Sequence, residues 1–200
     1  MAMEGEYLGM PVHLDDLDQE NMEFFKHCGV HQLHLQQCDD CGLKRYPPTT
    51  ACPFCSSPNA TWQPVDGRGT LYSYGEVHHA IQPVFREFAP YLLLLVELDE
   101  QRDNPNEFDG LRLQGNLVTP EGVLAPQDLV KRVGIGTRLK VVYVDMGEGL
   151  ADNRPEGRAD GRILANNTDE GPQAVARGQA LSWEVTPRSE QAPTALISFD

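Results

Sequence analysis

The chain has 200 residues, 40 % of them apolar, with 15 prolines and 18 glycines; this is enough to bury a core but too rich in turn formers for a helical bundle. Its formal net charge of −14 argues against a phosphate-backbone partner, which needs clustered Lys and Arg. The longest apolar run, residues 91–96, has six residues against the ~20 that span a bilayer, and the first residues lack the basic flank and apolar stretch of a secretory signal.

A cytoplasmic protein with no membrane contact is therefore expected. In a reducing compartment, paired cysteines are more often metal ligands or redox groups than structural disulfides. Residues 1–17 show no clear hydrophobic period and read as a mobile acidic arm; residues 1–40 together hold nine acids and one base, Lys26. From Asp18 the pattern turns helical. Asp18 can cap the first turn, Met22, Phe25 and Cys28 follow at a spacing of three, and Gly29 sits where the helix should end. A helix of about 10 residues is marginal alone, so it has to dock on something.

"HQLHLQQC" alternates, with Leu33 and Leu35 on one face, and predicts a short strand entering the first cysteine pair. "LKRYPPTTACPFC" returns the chain to the second pair, with Pro47 and Pro48 excluding a helix between them. Four further stretches read as strands separated by Gly, Pro, Asn and Asp clusters: "GRGTLYSYGEVHHAI" (67–81), "PYLLLLVELDE" (90–100), "LRLQGNLV" (111–118) and "TRLKVVYVDM" (137–146). "QRDNPNEFDG" (101–110) reads as an extended hairpin loop and "APQDLVKRVGIG" as one short helical turn. Strands joined this way suit a small Greek-key barrel, of which the five-stranded OB-fold is the commonest at this size. Beyond residue 152 the composition is that of a loop. "GRILA" could supply a closing strand; "ALSWEV" and "TALISF" could pair with each other, return to the barrel or bind a partner.

Cys38, Cys41, Cys52 and Cys55 have the spacing C-x2-C-x10-C-x2-C. Two residues inside each pair form a tight turn that aims both sulfurs at one metal, and a ten-residue linker lets two such knuckles close a tetrahedron. Four thiolates suit zinc, although iron accepts the same set. A disulfide reading is weaker in a reducing compartment, and a redox CxxC does not explain two pairs. A closed four-sulfur site keeps no open coordination position, so the metal is structural and staples a segment too small to hold a core. Cys28 falls outside the pattern and reads as a packed helix residue.

No catalytic group stands out. Cys28 is the free thiol candidate, but a helix turns it about 100° from His27. His78 and His79 share a predicted strand and so point to opposite faces. No G-x-S-x-G, P-loop or dinucleotide fingerprint is present.

The cysteine motif followed by "GRGTLYSYGEVHH", "PYLLLLVELDE", "LRLQGNLV" and "VGIGTRLKVVYVDM" resembles the zinc-ribbon/OB-fold acyl-CoA-associated family, once catalogued as a domain of unknown function and labelled nucleic-acid-binding. The resemblance spans about residues 18–150. It implies a mainly β protein with an N-terminal helix and a rubredoxin-like zinc ribbon (18–65) and an OB-fold barrel (66–150); outside it lie the acidic arm (1–17) and an irregular extension (151–200) that could close the barrel or bind a partner. Two departures stand out: the 101–110 insertion is longer than the usual hairpin, and the family's closing stretch, often built around Leu-Pro-Arg-Phe, is not evident after Leu150. The resemblance further implies a non-catalytic subunit of a thiolase-fold acyl-CoA thiolase or aldolase, in a heterotetramer. There it would support the partner and help to position the coenzyme A thioester. For that contact the candidates are Lys44, Arg45 and Tyr46 beside the knuckle, and Phe85, Arg86 and Phe88 ahead of the long apolar strand; their alternative reading is solvated bases and packing aromatics. Two other functions are weighed against this one. A single-stranded nucleic-acid binder could stack bases on Tyr72 and Tyr74, two apart on one strand face, but has the wrong charge. A stand-alone acyl-CoA-binding protein would bind the thioester without a partner.

Overall fold

The computed structural model describes residues 3–15, 17–106, 109–146 and 179–185. Strands β1 (Met3–Tyr7) and β2 (Met10–Leu14) form an antiparallel hairpin, with Met3 opposite Leu14 and Tyr7 opposite Met10. The expected mobile arm over 1–17 is thus corrected across its described residues. Leu8 and Gly9 take positive φ angles of 53° and 80°, the backbone that closes a two-residue hairpin with the right twist. Met3 and Tyr7 are buried on one face, Met3 against Met22, and the Glu6 N–H donates to the Met146 carbonyl at 2.6 Å.

Helix α1 (Gln19–Gly29) starts where expected: the Asp18 carboxylate accepts the Asn21 N–H at 3.2 Å. Its end differs. Gly29 remains helical, and the left-handed residue is His31, φ 57°. His31 N–H donates to Cys28 O at 2.9 Å and Gln32 N–H to His27 O at 3.1 Å, the paired bonds of a Schellman termination. His31 supplies the left-handed turn that glycine usually provides, and its ring lies flat against Tyr143, 5.2 Å away. Of the expected face, Met22 and Cys28 are buried, and Phe24 takes the place of Phe25. Phe24 and Cys28, one turn apart, enter the core, whereas Phe25 is only partly buried. Burying a side chain such as Phe24 contributes about 2–3 kcal/mol, which is what docks a helix too short to stand alone.

The ribbon consists of β3 (His34–Cys38), β4 (Lys44–Arg45) and β5 (Ala60–Pro64), antiparallel in the order β4-β3-β5. Gly67 joins it to the barrel with φ +71°, and a Cβ there would lie 2.4 Å from Val141 Cγ1, so both backbone and space require glycine.

The barrel comprises β6 (Arg68–Val77), β7 (Tyr91–Leu98), β8 (Arg112–Leu117), β9 (Arg138–Asp145) and β10 (Gln179–Val185), with the short helix α2 (Gln127–Val130) between β8 and β9. Its closed order is β10-β8-β7-β6-β9. This is the expected five-stranded Greek-key closure, which removes free sheet edges. "ALSWEV", left open between three fates, returns to the barrel in β10, antiparallel to β9 and parallel to β8; this part of the extension is regular. "GRILA" and "TALISF" lie outside the described residues. His78 and His79 follow the end of β6 in an exposed bend rather than alternating along a strand.

Period two explains how "LLLLVEL" works: Leu92, Leu94, Val96 and Leu98 point inward and are at most 2 % exposed. They join Leu71, Leu113, Leu117 and Leu139 in one core that also takes in Phe24, Leu33 and Leu35. Helix, ribbon and barrel therefore share a single hydrophobic cluster.

The insertion after β7 begins with a 3-10 turn, Asp99–Gln101. The Asp99 carboxyl, hydrogen-bonded first by Arg138 and then by Arg102, is held below the ordinary carboxylate range. The buried Gln101 side chain accepts the Lys44 N–H at 2.7 Å and donates to the Lys44 carbonyl at 2.9 Å. One amide thus stands in for a strand partner along β4 and ties ribbon to barrel.

Candidate metal centre and interaction surfaces

The two cysteine pairs sit on two turns of the same design. In the first, Cys38 N–H donates to Leu43 O at 3.0 Å and Gly42 N–H to Cys38 O at 2.9 Å; in the second, Cys52 N–H donates to Ser57 O and Ser56 N–H to Cys52 O, both at 2.8 Å. The residue after each second cysteine is left-handed, Gly42 at 75° and Ser56 at 63°. Asp40 links the turns: its carboxylate accepts the Ser57 hydroxyl and, at 3.5 Å, the Asn59 side-chain amide. In the sequence Gly42 directly follows Cys41, as a glycine that such a turn favours. Nothing in the sequence distinguishes Asp40 from the other acids of residues 1–40.

Cys38 Sγ lies 3.5 Å from Cys55 Sγ and Cys41 Sγ 3.6 Å from Cys52 Sγ, and all four sulfurs fall within 4.8 Å of one another. Four sulfurs around zinc at about 2.3 Å stand about 3.8 Å apart, whereas a disulfide needs about 2 Å. The donor set and its geometry fit a four-thiolate zinc. The Cys41 N–H, donated to the Cys38 sulfur, lowers that thiol, and Cys52 is lowered too, whereas Cys41 and Cys55 in the same cluster are raised; part of the set is thus poised as the thiolate a metal requires. Among the described residues no other cluster of three or more His, Cys, Asp or Glu is placed to hold a metal.

Cys28 stands apart. It is fully buried, and burial pushes its thiol up to about 12. A thiol so protonated is a poor nucleophile. With metal bound at the ribbon, a thiol reagent at pH 8 is expected to modify no Cys28 in the native protein and to reach it only on unfolding. Mass spectrometry of the labelled peptides checks this, and native labelling of Cys28 would refute it.

The expected coenzyme A or partner contacts divide. Arg45 does not project from the ribbon; it is 4 % exposed. Its Nε donates to Gln36 Oε1 at 2.9 Å and its Nη2 to Thr49 O at 3.0 Å, while Nη1 is buried with no hydrogen-bond partner among the described residues. Tyr46 packs on Phe24, with ring centroids 5.3 Å apart. Of that group Lys44 keeps a partly exposed side chain while its backbone is held by Gln101. In the second group Phe85 is half-buried between Tyr7 (5.9 Å) and Tyr91 (5.6 Å), Phe88 is half-buried, and Arg86 is exposed. The N-terminal hairpin thus supports the 3-10 turn Pro83–Phe88, through a tyrosine the sequence had assigned to a loose arm. Neither group borders the 620 Å³ cleft where helix end, ribbon and barrel meet, lined by Leu33, Val65, Asp66, Lys140 and Tyr143 among others.

Tyr72 and Tyr74, the residues weighed for base stacking, are both exposed. A bulge between Leu71 and Ser73 breaks the alternation at Tyr72, and the Arg112 guanidinium covers the Tyr72 ring at 3.7 Å. Among the described residues no helix is long and apolar enough to cross a membrane.

Comparison with known proteins agrees with this architecture. The rubredoxin-like zinc ribbon domain of ChsH2 matches residues 25–60, and the C-terminal OB-fold domain of ChsH2 matches residues 62–144. A probable enoyl-CoA hydratase alpha subunit of Thermomonospora curvata is 36 % identical over 104 residues, 51 % of this chain and 28 % of that protein. A DUF35 domain-containing scaffold protein of Methanocaldococcus jannaschii is 29 % identical over 108 residues, 54 % of this chain and 64 % of that protein. The match thus spans less than two thirds of either relative. A chain of the solved Ltp2-ChsH2(DUF35) aldolase shares the fold, with a TM-score of 0.56 at 23 % identity over 86 % of this chain and 98 % of that one. With both domains in order on one polypeptide, the chain belongs to the ChsH2-type (DUF35) family of zinc-ribbon/OB-fold proteins.

Proposed function

We propose that this protein is a non-catalytic accessory subunit of an acyl-CoA enzyme, paired with a thiolase-fold aldolase or thiolase in a heterotetramer. The observation that carries the reading is the joint match to both ChsH2 domains. The relatives named as an enoyl-CoA hydratase subunit and a scaffold protein, and the aldolase complex sharing the fold, support it. The chain's own chemistry is consistent. Its four sulfurs close on one metal and keep no position for substrate, and Cys28, the remaining thiol, is buried and protonated. The partner then supplies bond making and breaking in a Claisen or retro-aldol cleavage. This chain contributes a rigid docking body, with Lys44 and the turn carrying Phe85, Arg86 and Phe88 facing the partner or the coenzyme A thioester.

Coexpression with a thiolase-fold enzyme encoded beside it is the test. The expected result is a stable complex that cleaves an acyl-CoA substrate, while this chain alone cleaves none. Failure to copurify with any such enzyme, or thioester turnover by the isolated chain, overturns the proposal. Tight binding of coenzyme A esters by the isolated chain would instead favour a stand-alone carrier.

A further inference from the structure

Where α1 meets the ribbon, two imidazoles lie face to face. His27, in the last turn of the helix, stacks on His34 of β3 with ring centroids 4.0 Å apart and planes 14° from parallel. Trp62 of β5 leans against His27, with ring centroids 5.5 Å apart and planes tilted by 46°. The Nδ1 atom of His34 is buried with no hydrogen-bond partner among the described residues. A proton placed there would be a buried donor without an acceptor, an arrangement that costs free energy. A second proton on the facing ring would add like-charge repulsion across 4.0 Å of protein.

The surrounding charges do not remove this conflict. On the helix, Glu23 Oε1 is 3.9 Å from His27 Nε2, but the same carboxylate is bonded by Lys26 at 3.1 Å. Lys26 opposes a proton on His27. The residues of β5 carry no titratable side chain, and β3 adds none besides His34 and Cys38. The only charged residue of β10 is Glu184. Burial, followed by the His34 charge, lowers the His27 pKa from its ordinary value.

We infer that the stacked His27–His34 pair accepts one proton but not two while folded, and that this makes the helix–ribbon contact an acid-sensitive joint. The sign follows from linkage. A histidine whose folded pKa is depressed binds protons more tightly in the unfolded chain, so its contribution is complete above the ordinary histidine value of about 6.5 and is lost as pH falls below it. The proton comes from solvent. Phe24 and Cys28 keep the helix anchored in the core, so mild acid loosens this contact without detaching α1.

Histidine-resolved NMR titration of the metal-loaded, full-length protein is the test. In the wild type the His27 ring is expected to take its proton only in more acidic solution than an ordinary histidine. In His34→Gln the His27 step should rise toward the ordinary histidine range. The fall in thermal midpoint between pH 7.5 and 5.5 should be smaller in His34→Gln and in His27→Gln than in the wild type by about 3 °C. Independent titration of both rings at ordinary values in the wild type, which requires no variant to fold, overturns the inference. So does a pH dependence of the midpoint that neither substitution changes.

Discussion

Removing the metal with a strong chelator, or replacing Cys38 by Ser, is expected to unfold the ribbon and cause the largest stability loss of any single change in this protein. The segment from His34 to Pro64 offers few apolar side chains to a core; Leu35 is its one fully buried leucine. Its knuckles are instead held by short backbone bonds around four converging sulfurs. Binding zinc through such a set supplies on the order of 10 kcal/mol of folding free energy in small zinc modules, and replacing one thiolate forfeits most of it. The loss should spread, because Leu33, Leu35 and Phe24 belong to the same core cluster as the barrel leucines. Metal analysis should give one zinc per chain. Hydrogen exchange should show the Cys38, Gly42, Cys52 and Ser56 amides protected with metal and exposed without it. A metal-free protein that retained this protection would refute the four-sulfur site as the staple.

The site's legibility followed from how local each signal was. The four cysteines declare their metal because the chelate rings close within two short turns, and Asp18 announces a helix because its cap bond spans three residues. The β-strands were visible where alternation or β-branched runs marked a half-buried surface. Misread features depend on contacts distant in sequence. Arg45 reads as a free cation until Gln36 and Thr49 turn it inward. Residues 3–14 read as an arm because each strand has five residues and little propensity, and the pairing is fixed by burial of Met3 against a helix still to come. A polar stretch of 33 residues separates β9 from β10, so only closure of the barrel selects β10 among three short apolar segments. Gln101 carries no sequence mark at all; its role exists because the insertion bends back over β4.

The second large effect is expected at Arg112. Glu97 occupies an outward position on β7, yet it is 7 % exposed. Arg112, its cross-strand neighbour on β8, donates to Glu97 Oε1 through Nε at 3.2 Å and Nη2 at 3.0 Å, while its guanidinium stacks over Tyr72. Arg112→Ala strands a carboxylate that has already lost most of its water. Breaking one side of a buried pair costs about 3–5 kcal/mol, or about 10 °C in the melting temperature of a chain this size. Replacing both partners together, Glu97→Leu with Arg112→Met, should restore most of the loss, because the cost lies in the orphaned charge rather than in the absence of a bridge. Gly110→Ala approaches the pair from another side. Its Cβ would lie 2.2 Å from Glu97 Oε1, and a carboxylate held by Arg112 has little freedom to withdraw. Thermal or urea unfolding of the four proteins measures these effects, and an Arg112→Ala variant within about 0.5 kcal/mol of wild type would remove the argument. A lone acid within "LLLLVEL" could be taken for a catalytic carboxylate, but its bonds to Arg112 and the close approach of Gly110 make it part of the wall.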